Sequence, residues 1–458
     1  MDMEGTTSPS SLHGLRDLMA RPLTSYYLLL ASSGLLLVFG LVMVFSATSV
    51  QSYADSGNPY SAVLRQTLYA LIGLVAFWVA HRLPVKTYRR FAALFMTVCF
   101  VLLAVLDAAA LTHRSDPSRI VSLGPLKMDA LHFYLGPLQV QPSEIAKLAL
   151  VLWCAGVLVS LGPRRKTFAQ LGRTLFPLAG ATLLAVGVND LGTMLAMLVL
   201  VIGAMYAAGA ERRVFGYLGV IVLFGILVLV LMHGYRFERI TGFLHPLTDC
   251  NAQQANNPCY QELEGRYAIA NGGWFGVGLG QGHLKWGRLP FGYNDFIFAE
   301  IAEELGVFGC LLVLALLATV AYTGLRIARR VEDPFRRIAA AAITAWLVGQ
   351  SMINISGVIG LLPITGLPLP FISDGGTALV VVLAAMGVLA SFARAEPDAA
   401  RALHARPPRR WARLLWAPLP PLPRSAARAD RDEPDTGDVD ELVPLRSRRQ
   451  PVGVQRRT

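Results

Sequence analysis

Apolar stretches of about twenty residues, the length an α-helix needs to cross a bilayer, recur along this chain and leave little room for any other architecture. Ten can be marked, at about 26–48, 64–81, 90–111, 142–161, 174–188, 190–210, 214–234, 296–325, 338–360 and 373–393. Only Asn189 and Asp190 separate the fifth from the sixth, which predicts a tight helical hairpin. Hydrophobic residues make up 54% of the chain and charged residues 16%, far from a soluble protein of this length. The first apolar run is too long for a cleaved signal, and no small-residue cleavage site follows it. The expected fold is an all-α polytopic membrane protein: ten transmembrane helices, with a large extracytoplasmic loop (about 235–295) between helices 7 and 8.

Basic residues set the expected orientation. Arg82, Lys86, Arg89 and Arg90 lie between the second and third stretches, and Arg164, Arg165, Lys166 and Arg173 between the fourth and fifth. Arg212 and Arg213 follow the sixth, and Arg326, Arg329, Arg330, Arg336 and Arg337 lie around the eighth-to-ninth connection. Alternate loops are much poorer in basic residues, so the positive-inside rule puts both termini in the cytoplasm of a multi-pass plasma-membrane protein and the long loop outside. Residues 1–24 and 396–458 are expected to be disordered cytoplasmic tails flanking a membrane domain at 25–395. From Arg394 onward there are fourteen arginines, no lysine and nine acids, a composition that cannot bury a core. The anionic inner leaflet or an acidic cytoplasmic partner suits that charge. Nucleic acid is set aside, since no folded reading module accompanies it.

Cys99, Cys154 and Cys310 fall inside apolar stretches and read as small core residues. Cys250 and Cys259 lie in the outer loop, where a disulfide can persist; bonded and free forms both stay open. Neither has the neighbours of a zinc site.

Chemistry is best sought where the apolar pattern breaks on the outer side. Asp295, in the run from Leu289 to Gly306, sits at the seam between the long loop and an apolar helix that also carries Glu300, Glu303 and Glu304. Ionisable groups at membrane depth are costly and mark a substrate path or proton chemistry; the bland reading is that Asp295 caps the helix. Glu144 and Lys147 stand three apart behind Pro142, on one face of a helical start, as a structural pair or a charge facing a cavity. Asp190 is most simply the cap of the sixth segment. In the loop, Arg239, Arg266 and Lys285 accompany Gly276, Gly278, Gly280 and Gly282, whose spacing is not a nucleotide fingerprint. Flexible backbone near a bulky ligand, with bases for an anion, competes there with an ordinary packed loop. Before the last segment, Pro368, Pro370, Ser373, Asp374, Gly375 and Gly376 interrupt helicity at a depth where irregular backbone must line protein or a cavity.

The motifs QPSEIAKL (Gln141 to Leu148), NDLGT (Asn189 to Thr193), GGWFGVGLGQG (Gly272 to Gly282), NDFIFAEIAEELG (Asn294 to Gly306) and PLPFISDGGT (Pro368 to Thr377), in this order, resemble the SEDS family, the FtsW and RodA peptidoglycan polymerases. The similarity covers about residues 25–395. It implies a glycosyltransferase that joins lipid II into glycan strands, with the family's essential carboxylate falling on Asp295. Asn294, the small-polar ending of the last motif and the Arg/Pro tail resemble actinobacterial FtsW, the division polymerase acting at the septum; RodA, the elongation polymerase, is the alternative. Three departures stand out. Asp374 replaces a usual Tyr or small residue, Asn189 replaces a Pro, and the usual N-G-A-R-R-W stretch is not recognisable between Asp116 and Gly136.

The resemblance implies attack by a sugar hydroxyl on an α-linked donor to give a β-linked polymer. Such an inversion needs one base and no carboxylate nucleophile, and Asp295 is the candidate base. Arg239, Arg266 and Lys285 are candidate stabilisers of the leaving pyrophosphate. Glu144, Lys147, Asp190, Ser373, Gly375 and Gly376 are candidate substrate contacts. No carboxylate cluster has a clear ligand pattern, so no metal ligand is named and a divalent cation stays open. A class B penicillin-binding protein and other divisome proteins are the implied partners. A lipid II flippase or a divisome scaffold are the competing readings; charges spread through both leaflets would favour the former, whereas here they gather on the outer side.

Overall fold

The computed structural model describes residues 21–112, 121–123, 126–135, 138–162, 166–231, 258–286 and 292–423. Each of the ten apolar segments overlaps a helix over its described residues, although the fifth crosses a break between two helices and the tenth begins in irregular backbone. α1 (Thr24–Ser56), α2 (Ser61–Arg82) and α3 (Val85–Thr112) are followed by a small sheet, β1 (Val121–Leu123), β2 (Leu126–Met128), β3 (Phe133–Leu135) and β4 (Leu138–Val140), antiparallel in sequence order. Then come α4 (Pro142–Ser160), α5 (Phe168–Thr174), α6 (Phe176–Asn189), α7 (Leu191–Ala207) and α8 (Arg212–Leu231). After α9 (Pro258–Gly272) the chain continues through α10 (Ile297–Arg330), α11 (Pro334–Val358), α12 (Thr377–Ala393), α13 (Pro397–Ala405) and α14 (Arg410–Leu415).

Among the described residues seven helices are long and apolar enough to span a bilayer (α1, α2, α3, α4, α8, α10 and α11). The number rises to nine if the bent pairs α5–α6 (66°) and α12–α13 (72°) each count as one span. α7 is a shorter apolar helix. Exposed side chains on α8 such as Val220, Leu223 and Phe224 would be untenable against water and suit lipid tails. α4, α7, α11 and α12 supply the interior, with Trp346, Leu150, Met197 and Phe392 fully buried.

Local chemistry starts these helices where the sequence asks. Pro142 occupies the first turn of α4, a position that needs no N–H. Asp190 Oδ1 accepts the Thr193 N–H at 2.8 Å and starts α7, and Asp333 does the same for α11 through Phe335 and Arg336. Connections expected to be basic meet at one end: Arg89 pairs with Asp333 at 2.9 Å.

The expectation of a disordered tail from residue 396 differs from the structure over 397–423. α13 and α14 pack under that same end, where Trp416 Nε1 donates to the Tyr26 hydroxyl at 2.5 Å and Arg82 donates to the Leu414 carbonyl. His81 stacks between Tyr26 and Phe77 beside Trp416. The segment borrows a core from α1 and α2, which composition alone does not reveal. Arg239 and Cys250 lie outside the described residues, as do the side chain of Cys259 and the chain beyond Pro423.

Candidate active site

A cavity of about 1210 Å³ opens where the helical starts and the irregular segment before α12 converge. Its wall brings together Glu144 of α4, Asp190 at the start of α7, Tyr293 and Asn294 before α10, Gly366, and Asp374 through Thr377. Motifs separated by up to about 230 residues therefore share one surface.

The irregular segment 359–376 forms much of that wall, and its shape is held by buried polar groups of α11. Gln350 Nε2 donates to the Pro368 carbonyl at 2.8 Å. Asn354 Nδ2 donates to the Leu367 carbonyl at 2.7 Å and to the Asp295 carbonyl at 2.8 Å. Phe371 adopts φ 70°, a conformation that costs a non-glycine residue about 1–3 kcal/mol and persists only where the surroundings enforce it. Ser373 Oγ donates to the Asn294 carbonyl at 2.7 Å and accepts the Leu369 N–H at 2.8 Å. The Asp374 N–H reaches the Tyr293 carbonyl at 3.3 Å, and Gln66 of α2 donates to the Ser373 carbonyl at 3.2 Å. Ser373 is thus built into the frame around residues 293–295 and does not line the cavity.

Asp295 is half-buried and is not itself among the cavity-lining residues, although its neighbours Tyr293 and Asn294 are. The N-cap of α10 is Phe296, so Asp295 stands one residue outside the cap position. Its Oδ2 lies 3.6 Å from where a Cβ on the cavity-lining Gly366 would sit. Glu144 faces the cavity while Lys147 is fully buried behind it, 2.7 Å from Glu144 Oε1 and 3.0 Å from Gln350 Oε1, with its ammonium over the Trp346 ring. The pair therefore combines both readings of the motif: one member on the wall, one in the frame. Asp374 forms an ion pair with Arg65 of α2 at 3.7 Å.

Arg266 and Lys285 are not among the cavity-lining residues. Arg266 pairs with Glu262, and Lys285 pairs with Glu304 at 3.4 Å and donates to the Gly280 carbonyl. Glu303 and Glu304 of α10 hold the glycine-rich loop. Glu303 accepts from Asn271 Nδ2 at 3.1 Å and from the His283 and Leu284 N–H groups at 3.0 and 3.4 Å; Glu304 accepts from Ser46 at 2.5 Å. Gly276 (φ 78°) lies against the Glu304 carbonyl, so closely that a Cβ would clash. No group of three or more His, Cys, Asp or Glu able to hold a metal ion occurs among the described residues.

Sequence reasoning missed Arg65, His132, Gln350 and Asn354. The last two had a signal, since they are amide side chains four apart in an otherwise apolar stretch. Arg65 and His132 had none, because only long-range packing brings them to the cavity.

The chain is 39% identical to the probable peptidoglycan glycosyltransferase FtsW of Mycobacterium tuberculosis over 420 residues, covering 90% of this chain and 76% of that protein. It is 35% identical to the stage V sporulation protein E of Bacillus subtilis, covering 79% of this chain and 94% of the relative. A solved chain from a peptidoglycan synthase complex superposes with a TM-score of 0.61 at 22% identity, over 82% of this chain and 98% of that one. The rod shape determining protein RodA of Thermus thermophilus gives 0.54 at 23% identity, over 80% and 96%. These two likenesses establish the polytopic helical fold. The profile of the FtsW, RodA and SpoVE cell cycle proteins matches residues 26–397, and the chain belongs to that family.

Proposed function

We infer that the protein is a peptidoglycan glycosyltransferase of the FtsW type, polymerising lipid II during cell division, with Asp295 as its general base. In the reaction the 4-hydroxyl of an acceptor GlcNAc attacks the anomeric carbon of an undecaprenyl-diphosphoryl MurNAc donor. The new C–O bond forms from one face as the bond to phosphate breaks on the other. Asp295 takes the hydroxyl proton, and undecaprenyl diphosphate leaves with the bonding electrons. A sugar hydroxyl is a poor nucleophile at neutral pH, and a positioned carboxylate is the remedy.

The observation that carries this reading is the way the wall is built: Ser373 and Asn354 grip the carbonyls of Asn294 and Asp295, fixing the segment that bears the carboxylate beside Gly366. Side chains held by packing and backbone contacts are what catalysis by positioning requires. Glu144, Asp190, Gly375 and Gly376 share the cavity and are assigned to the disaccharide. Lys147 and Ser373 are assigned to holding that wall. The protein crosses the membrane ten times, each apolar segment being one span, with the basic connections and both termini in the cytoplasm and the cavity toward the outside. A class B penicillin-binding protein is the assigned partner, since the fold matches a chain of a complex that coordinates polymerization with crosslinking.

The deciding experiment is incubation of the purified full-length protein with lipid II, followed by separation of glycan strands from unreacted lipid. Strand formation by wild type supports the polymerase. Transbilayer movement of lipid II in vesicles without strand formation would replace it with a flippase.

A further inference from the structure

The leaving group in the reaction above is a diphosphate, yet the two described bases that the sequence offered for it are spent elsewhere. Arg266 is on Glu262 and Lys285 on Glu304. Among the described residues that line the cavity, Arg65 is the one side chain with a fixed positive charge, and His132 is the one that can acquire a positive charge. The carboxylates of the same wall have internal partners: Glu144 has Lys147 at 2.7 Å, Asp190 the Thr193 N–H at 2.8 Å, and Asp374 has Arg65 at 3.7 Å.

Packing brings the two bases onto one structural unit. Tyr69, one turn after Arg65 on α2, donates its hydroxyl to the Gln139 carbonyl at 3.1 Å and accepts the Gln139 N–H at 2.7 Å. This ties α2 to β4, which pairs with β3, and His132 immediately precedes β3. Its ring is held from one side. Nδ1 lies 3.3 Å from both Asp129 oxygens. Asp129 also accepts the N–H groups of Leu131 and His132 and the Tyr134 hydroxyl, each at 2.7 Å. Burial pushes the Asp129 carboxyl up, but the hydrogen bonds from His132, Tyr134 and Leu131 outweigh it and hold it well below the ordinary carboxylate range. A carboxylate on one ring nitrogen fixes the orientation of an imidazole and leaves the other nitrogen for a ligand. Arg65 is half exposed, and its 3.7 Å contact with Asp374 is longer than a hydrogen bond. The guanidinium can turn to an anion without giving up a tight contact.

We propose that His132 and Arg65 form an anion-binding pair in the cavity wall that receives the diphosphate of the polyprenyl-linked donor. His132 donates from Nε2 with its ring set by Asp129, and Arg65 moves from Asp374 onto the phosphate oxygens. As the anomeric bond breaks, both bonding electrons pass to a phosphate oxygen, and preorganised donors stabilise that charge. The identity of the ligand rests on the glycosyltransferase reading; the pair itself does not depend on Asp295 being the base.

The test is a direct binding titration of the purified full-length protein in detergent with undecaprenyl diphosphate, with undecaprenyl monophosphate as reference. Wild type should prefer the diphosphate. His132→Gln and Arg65→Gln should each weaken diphosphate binding about tenfold, the size of one charge-assisted hydrogen bond, and leave the monophosphate within about twofold. His132→Lys, which keeps a cationic donor, should recover most of the loss, and Asp129→Asn should cost about threefold through the ring's orientation. Equal losses for both lipids, or His132→Lys no better than His132→Gln, would mean a structural role and overturn the proposal; so would unchanged diphosphate binding in both Gln variants. Asp295→Asn should bind the diphosphate as wild type does. If wild type makes no glycan but keeps the diphosphate preference lost in His132→Gln, the anion site stands and the polymerase reading falls.

Discussion

Two acidic regions sit within ten residues of each other at the start of α10, and the fold treats them in opposite ways. Glu303 and Glu304 are held by their carboxylates: Asn271, His283, Leu284, Ser46 and Lys285 all direct donors at them. Glu300 stands over Gly282 in the same cluster, its Oε2 3.3 Å from where a Cβ would sit. Asp295 belongs to a segment held by its main chain, through Asn354 and Ser373, beside a cavity. A carboxylate that serves as the acceptor for a loop cannot be turned to a substrate without loosening that loop. One whose backbone carries the structural duty can. Glu303 and Glu304 carry the glycine-rich loop, which leaves Asp295 as the carboxylate proposed for chemistry.

That contrast breaks or holds first at Asp295. Asp295→Asn keeps the size of the side chain and removes the basic oxygen. Glycan synthesis should fall by about 10²–10⁴-fold or more, the usual span of general-base catalysis, while folding and lipid II binding stay close to wild type. Near-normal synthesis would return Asp295 to a purely structural role.

The next largest effect belongs to Gly366, whose φ of +76° suits glycine and whose Cβ position lies 3.6 Å from Asp295 Oδ2. Gly366→Ala carries a strain of about 1–2 kcal/mol and shifts the wall against the carboxylate. A fall in rate of about tenfold is expected, with the melting temperature reduced slightly. An unchanged rate with the strain visible in stability would uncouple this loop from the reacting group.

On the other side of the comparison, Glu303→Ala leaves the His283 and Leu284 N–H groups and the Asn271 amide without their acceptor; the Leu284 donor is buried, and leaving such a group unmet costs about 1–3 kcal/mol. A lower melting temperature in detergent should follow, while the rate per folded molecule stays within about threefold of wild type. A loss of rate as deep as that of Asp295→Asn, in protein that melts normally, would erase the distinction between the two regions.

The helices were legible because bilayer crossing is a local property: each apolar segment reports its own burial. Asp190 was legible as a cap, and Pro142, Glu144 and Lys147 as a helical start with a facing pair, because three- and four-residue spacing suffices to read them. The partners that decide function come from far away in the chain. Ser373 reads as a substrate contact until its hydroxyl is seen on the Asn294 carbonyl. The glutamates read as a charged path until the glycine loop is seen seated on them. Arg65 and His132 reach the cavity only through the α2–β4 contact made by Tyr69. The segment from Pro397 to Trp416 looks too polar and proline-broken to fold; it is anchored through Trp416, which meets Phe77 and His81 and donates to the Tyr26 hydroxyl.

That last segment carries the smallest expected effect on chemistry, because it packs at the end of the molecule where the basic connections meet. A chain ending at Pro423 should match the full-length protein in melting temperature and in glycan synthesis. A chain ending at Ala395 also loses the Trp416–Tyr26 hydrogen bond, the Arg82 contact with the Leu414 carbonyl and the pairing of Glu396 with Arg330 at 3.8 Å. Glu396 is buried and Arg330 partly exposed, and this truncation removes the buried carboxylate together with its pairing; the aromatic contact of Trp416 contributes about 0.5–1.5 kcal/mol beyond its area. The melting temperature should therefore drop by a few degrees, with the rate in detergent within about twofold. Complete loss of synthesis in a folded protein ending at Ala395 would show that this end communicates with the cavity, and that the division between frame and chemistry drawn at α10 does not extend to the end where α13 and α14 lie.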